Sequence, residues 1–410
     1  MKVFLLLILI MLTSGSGLAS EEYLDVTAPS SRKLQLSIAP TTLLSGAASP
    51  EIGPELAELF AFDLSLAGVL QLAPVGSGSS AADLVLKSAY SVQGSSFTLE
   101  CRLFDQLLNR ELAAKRYTGS RKELRRMAHA FSDEVLRALT GQKGPFTGKI
   151  AYVSRVSGNK EVFLVDYDGH RPQRVTNNGS INLNPDFAPS GREIIYTSYK
   201  KGNPDLYRRE LFTGSEAHVS FRPGLNAMGT FAPDGSRISL VLTKDGNSEI
   251  YLMSKDGKNL DRVTKNPAID VSPAWSPDGA KLVFVSDRLG KPQLFVVDAD
   301  GGNLRRLTSS GAYNVTPSWS PKGDRIAYAR QGGGGFQIHA IAPDGSQDTA
   351  LTVAGSNEHP RWSPDGRFIV FSSTRDGAEA IYLMRADGSA QTRISKAKVK
   401  ESHPTWSTGW

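Results

Sequence analysis

The stretch Pro273-Ala-Trp-Ser-Pro-Asp-Gly279 returns as Pro317-Ser-Trp-Ser-Pro-Lys-Gly323 and as Pro360-Arg-Trp-Ser-Pro-Asp-Gly366. Weaker copies stand at Pro185-Asp-Phe-Ala-Pro-Ser-Gly191 and Gly229-Thr-Phe-Ala-Pro-Asp-Gly235, and a truncated one at Pro404-Thr-Trp-Ser407. The aromatic residues Phe187, Phe231, Trp275, Trp319, Trp362 and Trp406 are 44, 44, 44, 43 and 44 residues apart. Within each period the same β signals follow in order. After the Pro-Asp-Gly turn comes a short apolar run such as Lys281-Leu-Val-Phe-Val-Ser286, then a second, Gln293-Leu-Phe-Val-Val297. An Asp-Gly turn leads to an outer segment ending Arg305-Arg-Leu-Thr308, and the next Pro-x-aromatic segment completes a set of four strands. Four strands in about 44 residues is the signature of a β-propeller blade.

Six copies account for residues 147 to 410. The middle strands occur six times, from Lys149-Ile-Ala-Tyr-Val-Ser154 to Phe368-Ile-Val-Phe-Ser372, but no Pro-x-aromatic segment precedes the first. The missing partner is the C-terminal His403-Pro-Thr-Trp-Ser407, which is expected to pair beside Lys149 to Ser154 and close the ring. Closure removes both free sheet edges.

Residues 21 to 143 carry no trace of the repeat. Strands are expected at Leu34 to Ala39, Leu70 to Val75, Asp83 to Ser91, Ser96 to Phe104 and Leu112 to Thr118, with a helix over Pro54 to Leu66. Ser120-Arg-Lys-Glu123 reads as a capping box opening a second helix whose stripe is Leu124, Met127, Phe131, Val135 and Leu139, ended by Gly141. The chain therefore reads as multidomain: an N-terminal α+β domain (21–143) followed by an all-β six-bladed β-propeller (144–410) closed by the C-terminal strand.

Lys2, the apolar run Val3 to Leu12 and the small residues up to Ser20 form a signal peptide pattern over 1–20, with cleavage expected after Ala19 or Ser20. Ten apolar residues are too few for a bilayer core of roughly 30 Å, so no membrane span is expected and the mature chain reads as exported and soluble. The single cysteine, Cys101, excludes an internal disulfide and any site of several thiolates. Residues 21–145 hold 13 basic and 14 acidic side chains, so the net charge of +6 resides in the propeller. That favours an acidic partner or an anionic surface, while its scatter over six blades argues against nucleic acid.

Asp298-Ala-Asp-Gly301 lacks the remainder of a calcium loop and recurs at the blade period, so it reads as a hairpin turn. No Gly-x-Ser-x-Gly nucleophile elbow occurs, and Gly332 to Gly335 lacks the Lys of a phosphate loop. Three residues before each Pro, or before its Gly equivalent, stand Asn182, Asn226, Asp270, Asn314, Asn357 and Glu401, and the last two copies add His359 and His403. In a propeller these loops crowd around one channel mouth, where a rigid ring binds partners. They equally suit side chains that cap their own turns. Two His without a third nitrogen ligand do not make a metal site, and no cofactor is expected.

The junction Ala128-His-Ala-Phe-Ser-Asp-Glu-Val135, continuing through Leu139-Thr-Gly-Gln-Lys-Gly-Pro-Phe146 into Ile150-Ala-Tyr-Val153, resembles the TolB family of periplasmic Tol-Pal components, and the likeness covers essentially the whole mature chain. The resemblance implies a protein without catalytic activity, a monomer within a larger envelope complex. Its propeller would bind the lipoprotein Pal at the channel mouth, with contact positions near Leu225, Met228 and Val271. Where the family often has His, this chain has Leu225. The segment after cleavage, with Glu22, Tyr23, Leu24 and Val26, matches the mobile N-terminus that engages the C-terminal domain of TolA, and it can add a strand to a partner's sheet. The alternative is an exported propeller enzyme such as a polysaccharide lyase, for which His359, His403, Asp270 and Glu401 are the candidates. Direct recognition of sugars or peptidoglycan is a third reading.

Overall fold

Apolar runs such as Lys281–Ser286 and Phe368–Ser373 show no alternation because both faces of these strands are covered, and nearly every side chain in them is buried. Of the two-residue outer strands, Gln173–Arg174, Arg305–Arg306 and Thr349–Ala350 are exposed. The computed structural model describes residues 33–73, 82–156 and 158–409. The expected targeting segment and Glu22, Tyr23, Leu24 and Val26 lie outside the described residues. Six four-stranded antiparallel sheets form the propeller. Blades 2 to 6 start at the inner strands Asn182–Phe187, Asn226–Phe231, Asp270–Trp275, Asn314–Trp319 and Asn357–Trp362. Blade 1 is built from both ends: Glu401–Trp406 pairs antiparallel with Lys149–Ser154, followed by Glu161–Asp166 and Gln173–Arg174. The expected closure is observed, and Lys149 and Ser407 extend it with reciprocal bonds of 2.8 and 2.9 Å.

Every inner strand carries the same irregularity. The register slips between its second and fifth residues. The third residue, Asn184, Met228, Ser272, Thr316, His359 or His403, has φ between +49° and +55°. A side chain in this region costs about 1–2 kcal/mol. Proline follows in five blades, where a bulge needs no N–H. In blade 3 Gly229 follows instead, because a Cβ there would meet the Leu206 side chain at 2.7 Å.

Between blades, the first residue of an inner strand meets a polar residue 20 or 21 positions earlier. Asn182 Nδ2 donates to Glu161 Oε2 at 3.0 Å, Asn314 Nδ2 to Gln293 Oε1 at 2.8 Å, and Asn357 Nδ2 to Gln337 Oε1 at 2.9 Å. Thr308 and Thr352 hydroxyls donate to the same Gln oxygens at 2.7 and 2.8 Å. Between blades 3 and 4 both members are acidic, and each has its own guanidinium: Arg262 on Glu249 and Arg288 on Asp270, both at 2.9 Å. At the last junction the earlier member is Ala380, and Glu401 takes over the acceptor role beside Ser395 and Ser154. Burial lifts its carboxyl above the usual range, against the pull of those two hydroxyls.

The N-terminal sheet runs Leu70–Leu72, Leu34–Ile38, Leu84–Gln93, Ser96–Asp105, Arg110–Gly119, parallel in its first half and antiparallel in its second. Thr42–Ser45, a fully exposed strand with no apolar alternation to announce it, pairs with Leu84–Gln93. Helices α1 (Ile52–Leu66) and α2 (Leu124–Thr140) meet through Phe60 and Phe131, edge to face at 6.2 Å. Ser120 N–H donates to the Glu123 carboxylate at 2.9 Å, and Gly141 ends α2 at φ +75°.

One apolar cluster runs from this sheet into blades 1 and 6 through Phe146, Tyr167, Phe368 and Trp406. Tyr167 stacks on Trp406 at 5.9 Å and 16°. A buried polar cluster lies beside it. His129 Nδ1 donates to Asp63 at 2.9 Å, His129 Nε2 faces Asp168 at 3.2 Å, and the Tyr167 hydroxyl donates to Asp63. Arg125 pairs with Asp168. Burial alone would lower the His129 pKa, but Asp63 and Asp168 overcome it and raise it from 6.5 to about 10. Burial also works against the Asp168 carboxylate, yet His129, Arg125 and His170 hold its pKa well below the usual range.

Two outcomes are expected. Removing residues 403–410 takes away most of the closing strand and should lower the melting temperature of the whole propeller; an unchanged melting curve would refute the closure. For His129, whose folded pKa is raised, stabilisation is complete below about pH 6.5 and is lost as pH rises through about 10, while the Asp168 contribution is lost only in acid. Thermal melts between about pH 7 and 10 should therefore fall in the natural chain and flatten in His129→Gln; parallel curves would remove His129 from the account.

Candidate binding face and channel

The inner strands of the six blades start at one mouth of the central channel and end at the other. At the starting mouth, Asn182, Asn226, Asp270, Asn314 and Asn357 are wholly buried and Glu401 nearly so. Their side chains turn into the junctions between blades, where they close backbone and side-chain groups that would otherwise be orphaned. Asn226, for example, donates to Arg222 O at 2.7 Å and accepts from Ser220 Oγ at 2.6 Å. Of the two readings open in the sequence, these positions take the cap geometry, and their side chains are not presented to solvent.

The left-handed residues that follow are half-buried in the channel. His359 and His403 lie ring against ring at 3.9 Å. Burial, followed by the charges around them, pushes both imidazoles down, His403 to about 3, so both are neutral at ordinary pH. Among the described residues no group of three or more His, Cys, Asp or Glu is placed to hold a metal ion. Leu225, Met228 and Val271 come together, all half-buried against the apolar cluster of blades 3 and 4, with Ser272 Oγ 3.6 Å from Met228 Sδ.

Large apolar side chains stand exposed in the loops of this mouth, alongside charged ones such as Lys201, Lys244, Lys291 and Lys400. Ile181, Phe221, Ile269, Leu289, Tyr313 and Val353 lie in its loops with 45%, 66%, 51%, 59%, 40% and 90% of their surface accessible. Backbone bonds from Tyr199 to Ile181 O and from Gln331 to Tyr313 O, 3.0 and 2.9 Å, fix neighbouring loops together. Three of these side chains stand directly before the buried residues 182, 270 and 314, which was the only trace of them in the sequence. Large apolar groups exposed together on loops mark an interaction surface.

At the opposite mouth the fifth residue of each inner strand and the following aromatic line a cavity of about 430 Å³. Pro189, Pro233, Pro277, Pro321, Pro364 and Thr408, one from each blade, form its entrance. The N-terminal domain docks on this side, where Arg367 donates to Thr140 Oγ1 at 2.7 Å and Arg385 to Leu66 O at 2.8 Å. Among the described residues no helix is long and apolar enough to cross a membrane.

The family model described as the TolB beta propeller domain matches residues 136–409. The Tol-Pal system protein TolB of Geobacter sulfurreducens is 55% identical over 208 residues, 46% of this chain and 48% of that protein. Its counterpart in Geobacter metallireducens is 56% identical over 211 residues, 47% and 49% of the two chains. The chain thus spans about half the length of the curated relatives it matches. The crystal structure of TolB from Acinetobacter baumannii shares the fold, with a TM-score of 0.81 at 24% identity over 92% of this chain and 97% of that one. With the repeat, the closed ring and the family model in agreement over two thirds of its length, the chain belongs to the TolB β-propeller family.

Proposed function

We propose that this protein is a non-catalytic periplasmic scaffold of the Tol-Pal system. Its propeller binds the peptidoglycan-associated lipoprotein Pal at the channel mouth with the apolar collar, and its N-terminal segment binds the C-terminal domain of TolA. The coupling of the two supports outer-membrane integrity and constriction at division. The work is divided between residues 144–410, which carry the collar, and residues 21–143, which carry the segment. The observation that carries this reading is the collar itself: exposed Phe221, Ile269, Leu289 and Tyr313 in the same loops as half-buried Leu225, Met228 and Val271. Such a surface gains by leaving water and demands little rearrangement of its own backbone. Family membership and the signal pattern over residues 1–20 add support.

Two measurements test the proposal. Phe221→Asp and Ile269→Asp place a charge in the collar, Phe221 giving up a ring contact with His218 at 4.6 Å; each should weaken Pal binding by at least about tenfold with little change in melting temperature. Undiminished binding in both variants would move the site elsewhere. Deleting residues 21–31, with Glu22, Tyr23, Leu24 and Val26, should abolish capture of the TolA C-terminal domain and leave the collar's affinity for isolated collar partners in place; retained TolA capture would overturn the assignment of that segment.

A further inference from the structure

The fifth residues of the inner strands form a ring of Thr405, Asp186, Thr230, Ala274, Ser318 and Arg361, from blades 1 to 6 in that order. Four are small and uncharged. The two charged members, Asp186 and Arg361, flank Thr405, and both are half-buried where they line the cavity at the proline entrance. They do not neutralise each other by contact: among the described residues no ion pair within 4.0 Å involves Arg361. This sets them apart from the junctions between blades, where Glu161, Glu249 and Asp270 each meet a guanidinium or an amide directly.

The Arg361 guanidinium has five N–H donors in a fixed fork. Its Nη1 reaches Pro360 O at 3.2 Å and Pro317 O at 3.5 Å, and these are its hydrogen bonds. Nε and Nη2 are left for the cavity. A half-buried guanidinium that turns unspent donors into a cavity is placed to meet an anion there. The matching anion for a planar fork is a carboxylate, which takes two parallel bonds. Asp186 is differently placed. Its Oδ2 accepts from Thr230 Oγ1 at 2.8 Å and from Phe231 N–H at 3.2 Å, whereas Oδ1 has only a long contact of 3.4 Å with Thr405 Oγ1. Oδ1 therefore retains room for a donor from the cavity. The aromatic residues lining the same cavity are Trp275, Trp319, Trp362 and Trp406 with Phe187 and Phe231. A concave chamber lined by aromatic rings and prolines, with a few polar groups at fixed places, is the form of a small-molecule site.

We propose that this chamber binds a small zwitterion of the free amino acid class, its carboxylate on Arg361 and its ammonium on Asp186. The cavity of about 430 Å³ admits one such molecule with water around it. The entrance faces the side on which the N-terminal domain docks, so the site is separate from the apolar collar at the other mouth and does not depend on what the collar binds.

The test uses the full mature chain and follows tryptophan fluorescence, since four indoles line the chamber. Glycine and alanine are the probes; acetate supplies the carboxylate alone and methylamine the ammonium alone, all at constant ionic strength. Saturable change is expected with glycine or alanine, at least about tenfold weaker with acetate and weaker again with methylamine. Arg361→Gln should abolish the response, and Asp186→Asn should bring glycine down to the level of acetate. Should Arg361→Gln fail to fold, the comparison of glycine with acetate in the natural chain and in Asp186→Asn decides alone. Equal affinity for acetate and glycine, an undiminished response in Asp186→Asn, or no saturable change with any probe overturns the proposal.

Discussion

The pairing of residues 401–406 with residues 149–154 is the contact on which the rest of the molecule depends. Five blades are single stretches of chain, and each could in principle pair its strands locally. The first blade cannot, because its inner strand is made some 250 residues after its partner. Until those strands meet, two sheet edges are open and the inner faces of the neighbouring blades are wet. Once they meet, every middle strand is covered on both faces, which is why so many of the apolar side chains have no accessible surface at all.

Closure also fixes the functional face. The six inner strands arrive at one mouth with identical bulges, and their first residues are consumed in bonds between blades. The loops outside them are thereby pinned at both ends and can carry large apolar side chains without collapsing onto the body. Neutral His359 and His403, their rings tilted against each other at 3.9 Å, add bulk without charge. The collar and the charged chamber thus sit at opposite ends of one rigid tube, and each can be altered by substitutions that do not reach the other.

Much of this was legible in the chain. The aromatic residues at intervals of 44 and the missing first partner gave the number of blades and the manner of closure, because a closed array imposes one period on every member. The part of Asn182, Asp270 and their equivalents was less legible. A polar residue recurring at the blade period has the same spacing whether it faces solvent or caps a junction. The partner that distinguishes the two stands 20 or 21 residues earlier, at Glu161, Glu249, Gln293 and Gln337, and the exchange at Ala380 and Glu401 is the complementary trace. The collar was nearly silent, since isolated apolar residues in loops follow no period. Thr42–Ser45 was missed for a similar reason: four exposed residues have no buried face to create alternation.

The N-terminal domain rests on the one blade that is not a continuous stretch of chain. Trp406 belongs to the returning strand and Tyr167 to the turn after the strands it returns to, and the two rings are stacked under the same helices with Phe146 between domain and disc. Arg385 and Arg367 tie the adjoining blade to the same support. The domain therefore works as a staple across the seam of the disc. Fraying of the last strand has to begin by peeling an aromatic stack away from the N-terminal domain, which adds to the cost of opening the seam.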